Sequence, residues 1–284
     1  MVNEMDMFLV IVIGLLSGVV GMVAIPLSLF IEKIEDGIAC EQCIDKKNCF
    51  AKQPLKNGKS DWLNEFMLIS FYKIRKKCTC CVDSERKTYI LYLFFHVILM
   101  GILFWSKGMS TVSILYMVSG AALLSLSVVD WNTQYIPLEM SGILFICGLI
   151  HMFMDLSNWL DYAIGLFVVS GFLFLIDKIS TPILRKRYAK EGMEIDGAIG
   201  GGDIKLMAAT GLLLGWKLNF LALMIGCVAG SVIHLMLMKI KGSGRQFALG
   251  PYLSLGVYIT MICGEQLVSW YLSVLGVEAL IINF

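Results

Sequence analysis

The stretch "GAIGGGDIKLM", Gly197 to Met207, places a run of glycines and one aspartate directly before an apolar segment. Four of the six residues before Asp203 are glycine, and the sequence stays mostly apolar as far as Trp216. Glycine adopts backbone conformations that other residues avoid, and it allows another chain to approach closely. The stretch therefore predicts an irregular loop that leads into a helix, with a carboxylate at the entrance of that helix.

The composition of the whole chain is typical of a polytopic membrane protein. Of the 284 residues, 58% are hydrophobic and 16% are charged, whereas soluble domains average about 45–50% apolar and about 25% charged residues. A membrane span needs about 20 apolar residues, and we predict an all-α polytopic membrane protein with about eight transmembrane helices. The candidate spans are Met7–Ile31, Tyr89–Trp105, Thr111–Val129, Met140–Met154, Tyr162–Ile176, Ile204–Trp216, Phe220–Met238 and Ala248–Leu275.

The distribution of positive charge predicts how the chain is oriented. Lysine and arginine are concentrated between the first two spans and after the fifth and seventh. Positive residues are retained on the cytoplasmic side, so the first loop is predicted to be cytoplasmic and the N-terminus external, in the cytoplasmic (inner) membrane. We divide the chain into a first transmembrane helix (1–31), a cytoplasmic cysteine-rich loop (32–87) and the remaining helices (88–284). The net charge of +1 says nothing about partners, and the lack of a basic patch with interleaved aromatics indicates no nucleic-acid partner.

Two C-x-x-C pairs in the loop 32–87 predict a metal site. Thiols stay reduced in the cytoplasm, so disulfides are not expected. Two such pairs can supply the four thiolates of a closed, tetrahedral zinc site with a structural role. The predicted ligands are Cys40, Cys43, Cys78 and Cys81, with Cys49 and Cys80 as competing ligands and free thiols as the alternative to a metal site.

Two acids at the ends of apolar segments are the candidate catalytic residues. Asp130 ends the run "AALLSLSVVD", and Pro137 marks a break or a new helix start after it. Asp203 begins the apolar segment that follows the glycines. Each acid alone could be a helix cap. Together, two carboxylates at one membrane depth can share a proton and act as acid and base on water and a peptide carbonyl. Gly200, Gly201 and Gly202 would then let an extended substrate approach Asp203.

These residues resemble a known family. "GGGD" resembles the GxGD motif of intramembrane aspartyl proteases. "GGGDIKLMAATGLLLGW" and "FALGPYLSLG", Phe247 to Gly256, resemble the type IV prepilin peptidase (bifunctional leader peptidase/N-methyltransferase) family. The spacing from Asp130 to Pro137 and the paired cysteines in the first loop are also similar to that family. The resemblance covers most of the chain.

The resemblance implies a function for each motif. It implies that Asp130 and Asp203 are catalytic and that 88–284 is the transmembrane aspartyl peptidase domain. The substrates would be prepilins or pseudopilins in the lipid bilayer, which lose a short basic leader at the cytoplasmic face. Many members then methylate the new N-terminus with S-adenosylmethionine. The residues expected to contact the substrate are Gly200, Gly201, Gly202, Lys205 and Pro251.

The sequence also departs from the family pattern. Leu138 separates Pro137 from Glu139, where the family has an acid directly after the proline. The stretch "GMVAIPLSLFIEKIE" lacks the Asn and Arg found in members with methyltransferase activity, and the Tyr-Pro-x-x-Glu motif after the second cysteine pair is missing. Few polar groups would then hold S-adenosylmethionine, so the methyltransferase activity stays open.

Two other classes of function compete with a peptidase of this type. A zinc-loop membrane transporter or scaffold could use the two aspartates as ion ligands, since transporters place acids beside broken helices. Their sites lie near the bilayer midplane, whereas both aspartates here are predicted at the cytoplasmic edge. The second class is a serine protease or metalloprotease. The H-E-x-x-H motif of metalloproteases is absent, and His96, His151 and His234 occur singly in apolar segments, where a packing role is expected.

Overall fold

The computed structural model describes residues 86–108, 110–189, 197–241 and 248–275, and all regular structure in these ranges is helical. The all-α prediction is therefore confirmed for this part of the chain. A 3₁₀ turn, Leu156–Asn158, precedes α4. The α-helices are α1 (Arg86–Lys107), α2 (Thr111–Thr133), α3 (Leu138–Met154), α4 (Trp159–Ala189), α5 (Gly201–Leu214), α6 (Trp216–Lys241) and α7 (Gly250–Val274).

Three helical stretches in the described ranges are long and apolar enough to cross a membrane. They are Thr111–Trp131, Leu156–Ala189 and Trp216–Lys239, and two shorter apolar helices cover Tyr92–Lys107 and Leu138–Met154. Every helix from α1 to α7 overlaps one predicted apolar segment. The first predicted span and the cysteine pairs lie outside the described residues, so the total of eight spans stays a prediction.

Helix α2 ends where the sequence places a proline. Gln134 adopts a left-handed conformation, with φ of 53°, and its N–H donates to the Asp130 carbonyl oxygen at 2.9 Å. Pro137 is extended, with φ of −62° and ψ of 132°, and α3 begins at Leu138. Proline restricts the residue before it to extended backbone, so α2 cannot continue into α3. The predicted break is confirmed.

Helix α5 is the centre of the bundle. It packs against α3, α4, α6 and α7, and most of its residues are buried. The outer faces of α4 and α6 instead expose large apolar side chains such as Phe167 and Val228. This distribution is the one expected when outer helices face lipid and one inner helix faces only protein.

Glycines allow the helices around α5 to approach backbone to backbone. A Cβ atom on Gly211 of α5 would lie 2.0 Å from the carbonyl oxygen of Gly165 on α4. A Cβ atom on Gly148 of α3 would lie 2.9 Å from the backbone nitrogen of Leu213. Small residues at such crossings are typical of helix packing in membranes. The crossings fix α5 between α3 and α4, and they fix the aspartate at its start.

A buried polar contact joins α5 to α6. The Asn219 side-chain amide donates to the Met207 carbonyl oxygen at 2.9 Å, and the Thr210 hydroxyl donates to the Asn219 amide oxygen at 2.9 Å. Asn219 and Thr210 are both fully buried. Buried polar groups that are fully hydrogen-bonded specify one arrangement of the helices around them.

Candidate active site

Four helix ends meet at one end of the bundle and enclose a cavity of about 470 Å³. The end of α2, the start of α3 and the start of α5 supply its walls, and α7 begins beside it. The residues that line the cavity are Asp130, Gln134, Tyr135, Ile136, Leu138, Ser141, Gly200, Gly201, Gly202, Asp203 and Lys205. Both predicted catalytic aspartates are among them, as are the three glycines and Lys205.

Asp130 is held by the first residue of α7. Its side chain is 4% exposed, and its Oδ2 accepts a hydrogen bond from the Gly250 N–H at 2.9 Å. The first N–H groups of a helix have no partner within that helix, so this donor is available to the carboxylate. Asp130 lies at the C-terminal end of α2, where the helix dipole disfavours a negative charge. It is therefore not a stabilising cap of α2.

Gly250 can approach Asp130 this closely only because it has no side chain. A Cβ atom at this position would lie 2.5 Å from Asp130 Oδ2 and 3.0 Å from its Cγ. Pro251, the residue predicted to contact the substrate, follows in the first turn of α7 and is not among the cavity-lining residues. Proline is favoured at the first position of a helix because its N–H is not needed there. Its contribution in this structure is to start α7 next to Gly250.

Asp203 enters the cavity from the first turn of α5. It is 8% exposed, and its Oδ1 is buried without a hydrogen-bond partner among the described residues. Gly200, not Asp203, is the N-cap residue of α5, and no side chain caps this helix. The negative charge of Asp130 disfavours ionisation of the Asp203 carboxyl. The structure thus brings the two predicted carboxylates together in one cavity.

The three glycines before Asp203 differ in their surroundings. A Cβ atom on Gly202 would lie 2.7 Å from Ile136 Cβ, and one on Gly200 would lie 2.8 Å from Asp203 Oδ2. A Cβ atom on Gly201 would meet nothing within 4 Å. Gly200 and Gly202 are explained by contacts inside the protein itself. Of the three glycines, Gly201 is the one whose Cβ position faces open space.

The sequence did not single out several groups that complete the cavity. The Ser141 hydroxyl is buried and has no hydrogen-bond partner among the described residues, so it is a further polar group on the cavity wall. Tyr135 and Leu138 are about half exposed at the cavity. Pro137 could have indicated Ser141, because α3 begins directly after Pro137 and residues three apart in a helix, such as Leu138 and Ser141, lie on one face.

The predicted metal ligands Cys40, Cys43, Cys78 and Cys81 lie outside the described residues. Within 86–108, 110–189, 197–241 and 248–275, no group of three or more His, Cys, Asp or Glu could hold a metal ion. His151 is a packing residue as expected: its Nδ1 lies 2.8 Å from the Leu213 carbonyl oxygen, and its ring contacts Tyr116 and Tyr162.

The fold and the cavity define a helical membrane protein with two buried carboxylates at neighbouring helix ends. The model of the type IV leader peptidase family matches residues 117–235, a range that includes Asp130 and Asp203. Over this range the chain is similar to the type IV leader peptidase family, and this similarity supports a peptidase activity. The resemblance found in the sequence is confirmed.

Individual relatives agree with this assignment. The chain is 28% identical to the prepilin leader peptidase/N-methyltransferase of Stutzerimonas stutzeri, over 72% of this chain and 68% of that protein. It is 29% identical to the protein of the same name from Neisseria gonorrhoeae, over 75% and 71%. For the relative from Aeromonas salmonicida the identity is 30%, over 49% and 43%. No solved structure matches the chain.

Proposed function

We propose that the protein is a membrane aspartyl endopeptidase that removes the short basic leader from type IV prepilins or pseudopilins at the cytoplasmic face of the inner membrane. One observation carries the proposal: Asp130 and Asp203, from two separate helices, line the same cavity with both side chains buried. The relatives are named as prepilin leader peptidases, which supplies the substrate class. The relatives are named as peptidases, which disfavours the transporter alternative.

The hydrogen bonds of the two acids suggest different roles. Asp130 accepts the Gly250 N–H, and a hydrogen bond to a carboxylate favours its charged form. Asp203 Oδ1 has no hydrogen-bond donor among the described residues. The negative charge of Asp130 disfavours a second negative charge on Asp203. Two neighbouring carboxyls do not both ionise readily, so Asp203 carries the shared proton. Asp130 is the general base and Asp203 the general acid.

The reaction is the addition of water to a peptide bond. Asp130 takes a proton from the water while the water oxygen attacks the scissile carbonyl carbon. Asp203 donates its proton to the carbonyl oxygen. The tetrahedral intermediate then breaks its C–N bond, and the leaving amine takes the proton from Asp130. Collapse of the intermediate returns the other proton to Asp203. One water is consumed, and the acid pair recovers its single proton.

Positive charge supports a cytoplasmic position for the cavity. The helices α4 and α6 end on the same side as the cavity, because α5 and α7 begin there. The ends of these two helices carry Arg185, Lys186, Arg187 and Lys239, while the opposite end of the bundle carries Lys107 and Lys217. Excess Lys and Arg marks the cytoplasmic side. With the predicted span in 1–31, we propose eight spans and an external N-terminus.

The experiment that tests the proposal is cleavage by the full chain in detergent, using a panel of prepilins that carry their leaders. We expect a mobility shift and a product whose mass corresponds to loss of the leader. The same product mass shows whether a methyl group is added when S-adenosylmethionine is present. Intact substrate under conditions in which the Neisseria gonorrhoeae relative cleaves the panel would reject the proposal.

The zinc site is proposed from the cysteines alone, as a structural element of the loop 32–87. We expect the purified chain to hold one zinc ion, because two C-x-x-C pairs complete a four-thiolate shell. Atomic absorption should show loss of that ion when Cys40 and Cys43 are both replaced by serine. Replacing Cys227, which is exposed on α6, is the matched control. Unchanged zinc content in the double variant would exclude these ligands.

A further inference from the structure

A side-chain pair on α4 holds the backbone that leads into α5. Asp177 Oδ1 accepts hydrogen bonds from the N–H groups of Ala198, at 2.9 Å, and Ile199, at 3.1 Å. The Thr181 hydroxyl donates to the same Asp177 oxygen at 2.9 Å and accepts from the Ala198 N–H at 3.0 Å. Asp177 and Thr181 are four residues apart on α4, so both face this segment.

This contact is more than solvation of a surface acid. Three donors converge on one carboxylate oxygen, and hydrogen bonds to an ionised acceptor are about twice as strong as neutral ones. The charged neighbour Lys178 places its ammonium group over the Phe174 ring, 5.2 Å from the ring centre. A Cβ atom on Gly197 would lie 3.1 Å from Asp177 Oδ1, so the segment passes close to the carboxylate.

The held segment connects directly to the proposed acid. Ile199 packs against the core and is followed by Gly200, whose carbonyl oxygen accepts the N–H of Asp203 at 3.1 Å. The residues between Ile199 and Asp203 are three glycines, which have no side chains to anchor them. The position of the Asp203 side chain therefore depends on where the backbone of Ala198 and Ile199 is fixed.

We infer that Asp177 and Thr181 are positioning residues of the peptidase: they hold Ala198 and Ile199 and thereby set the position of Asp203 relative to Asp130. The inference rests on the proposed function. Neither residue lines the cavity that holds the two carboxyls. Their effect passes through the backbone of the glycine run.

The test compares Asp177→Ala, Asp177→Asn and Thr181→Val in the full chain. Asp177→Ala removes the acceptor of both N–H groups, and we expect kcat to fall about 10- to 100-fold with KM changed less than about twofold, because a misplaced acid slows chemistry. Asparagine keeps one acceptor oxygen, so Asp177→Asn should recover most of this loss. Thr181→Val should give an intermediate loss, and Ser180→Ala, a neighbouring hydroxyl on α4, should behave like the native chain.

Two further readouts separate positioning from general stability. When the acids move apart, their titrations approach each other, so the pH range of activity should narrow in Asp177→Ala but not in Ser180→Ala. Hydrogen–deuterium exchange of the peptide covering 197–203 should accelerate in Asp177→Ala, and this measurement needs no activity. Native kcat, or unchanged exchange of that peptide, would overturn the inference. Failure of the native chain to cleave any prepilin would instead reject the proposed function. The exchange result would still show whether Asp177 holds the backbone of Ala198 and Ile199.

Discussion

Asp130→Asn and Asp203→Asn will each lower the rate of leader cleavage about a thousandfold or more while the helices stay folded. Asparagine has nearly the same shape as aspartate but cannot take or give the proton that the mechanism moves, and general acid–base groups contribute about 10² to 10⁴ in rate. Both side chains lie in the one cavity. The measurement is kcat for a leader-carrying prepilin, with circular dichroism to show that the helical content is retained.

The matched control is Asp155→Asn. Asp155 lies at the opposite end of α3, where hydrogen bonds from Ser157 and then Asn158 hold the pKa of its carboxyl below its usual range. This variant should keep native activity. In the proposed mechanism the two acids act as a unit, so the double variant at 130 and 203 should lower the rate no more than the more damaging single variant. Cleavage retained by either single variant would remove that residue from catalysis.

The dependence of activity on pH gives a second readout of the same prediction. At low pH both carboxyls are protonated, so no base is present, and at high pH both are ionised, so no acid is present. Activity of the native chain should therefore fall on both sides of an optimum. A flat profile would contradict a shared proton.

Gly250→Ala will lower kcat about 10- to 100-fold. The new Cβ atom would lie 2.5 Å from Asp130 Oδ2, which is closer than two such atoms can remain, so the carboxylate must leave the Gly250 N–H. A misplacement of about 1 Å in a catalytic group can cost about 100-fold in rate. The change is a single methyl group at the first residue of α7, so the bundle should still fold.

Gly171→Ala is the control for this substitution. Gly171 lies within α4, and a Cβ atom there would meet nothing within 4 Å. Alanine favours a helix more than glycine does, so this variant should be as active and at least as stable as the native chain. Equal activity of Gly250→Ala and Gly171→Ala would show that the backbone hydrogen bond to Asp130 is not needed for catalysis.

The main elements of the site could be predicted because they depend on local sequence. Asp130 stands at the end of an apolar run, Pro137 interrupts the chain, and Asp203 follows a glycine run, so each helix end near the cavity has its own signal. The same local patterns placed an apolar segment over each of the described helices. The range matched by the family model contains Asp130, Pro137 and the glycine–aspartate motif, and it ends before Phe247.

The partners of these groups could not be predicted, because they come from distant parts of the chain. Gly250 is 120 residues from Asp130, and its role depends on how α7 packs beside α2. Asp177 next to Lys178 looks in sequence like a paired or solvated acid, yet it binds the backbone 21 and 22 residues further on. The sequence suggests one role for the three glycines before Asp203. In the structure, Ile136 leaves no room for a side chain at Gly202, whereas a side chain at Gly201 would meet open space. Such contacts are set by tertiary packing.

The shortness of α5 has a consequence for how water reaches a peptide bond at a membrane. A helix of 14 residues rises about 21 Å, whereas the hydrocarbon layer is about 30 Å thick. Because α3, α4, α6 and α7 surround it, lipid does not have to fill the difference. Protein instead of lipid therefore surrounds α5, and its ends do not need to reach the membrane surface. Under the proposed function, water can then reach the two carboxyls below the membrane surface without entering lipid.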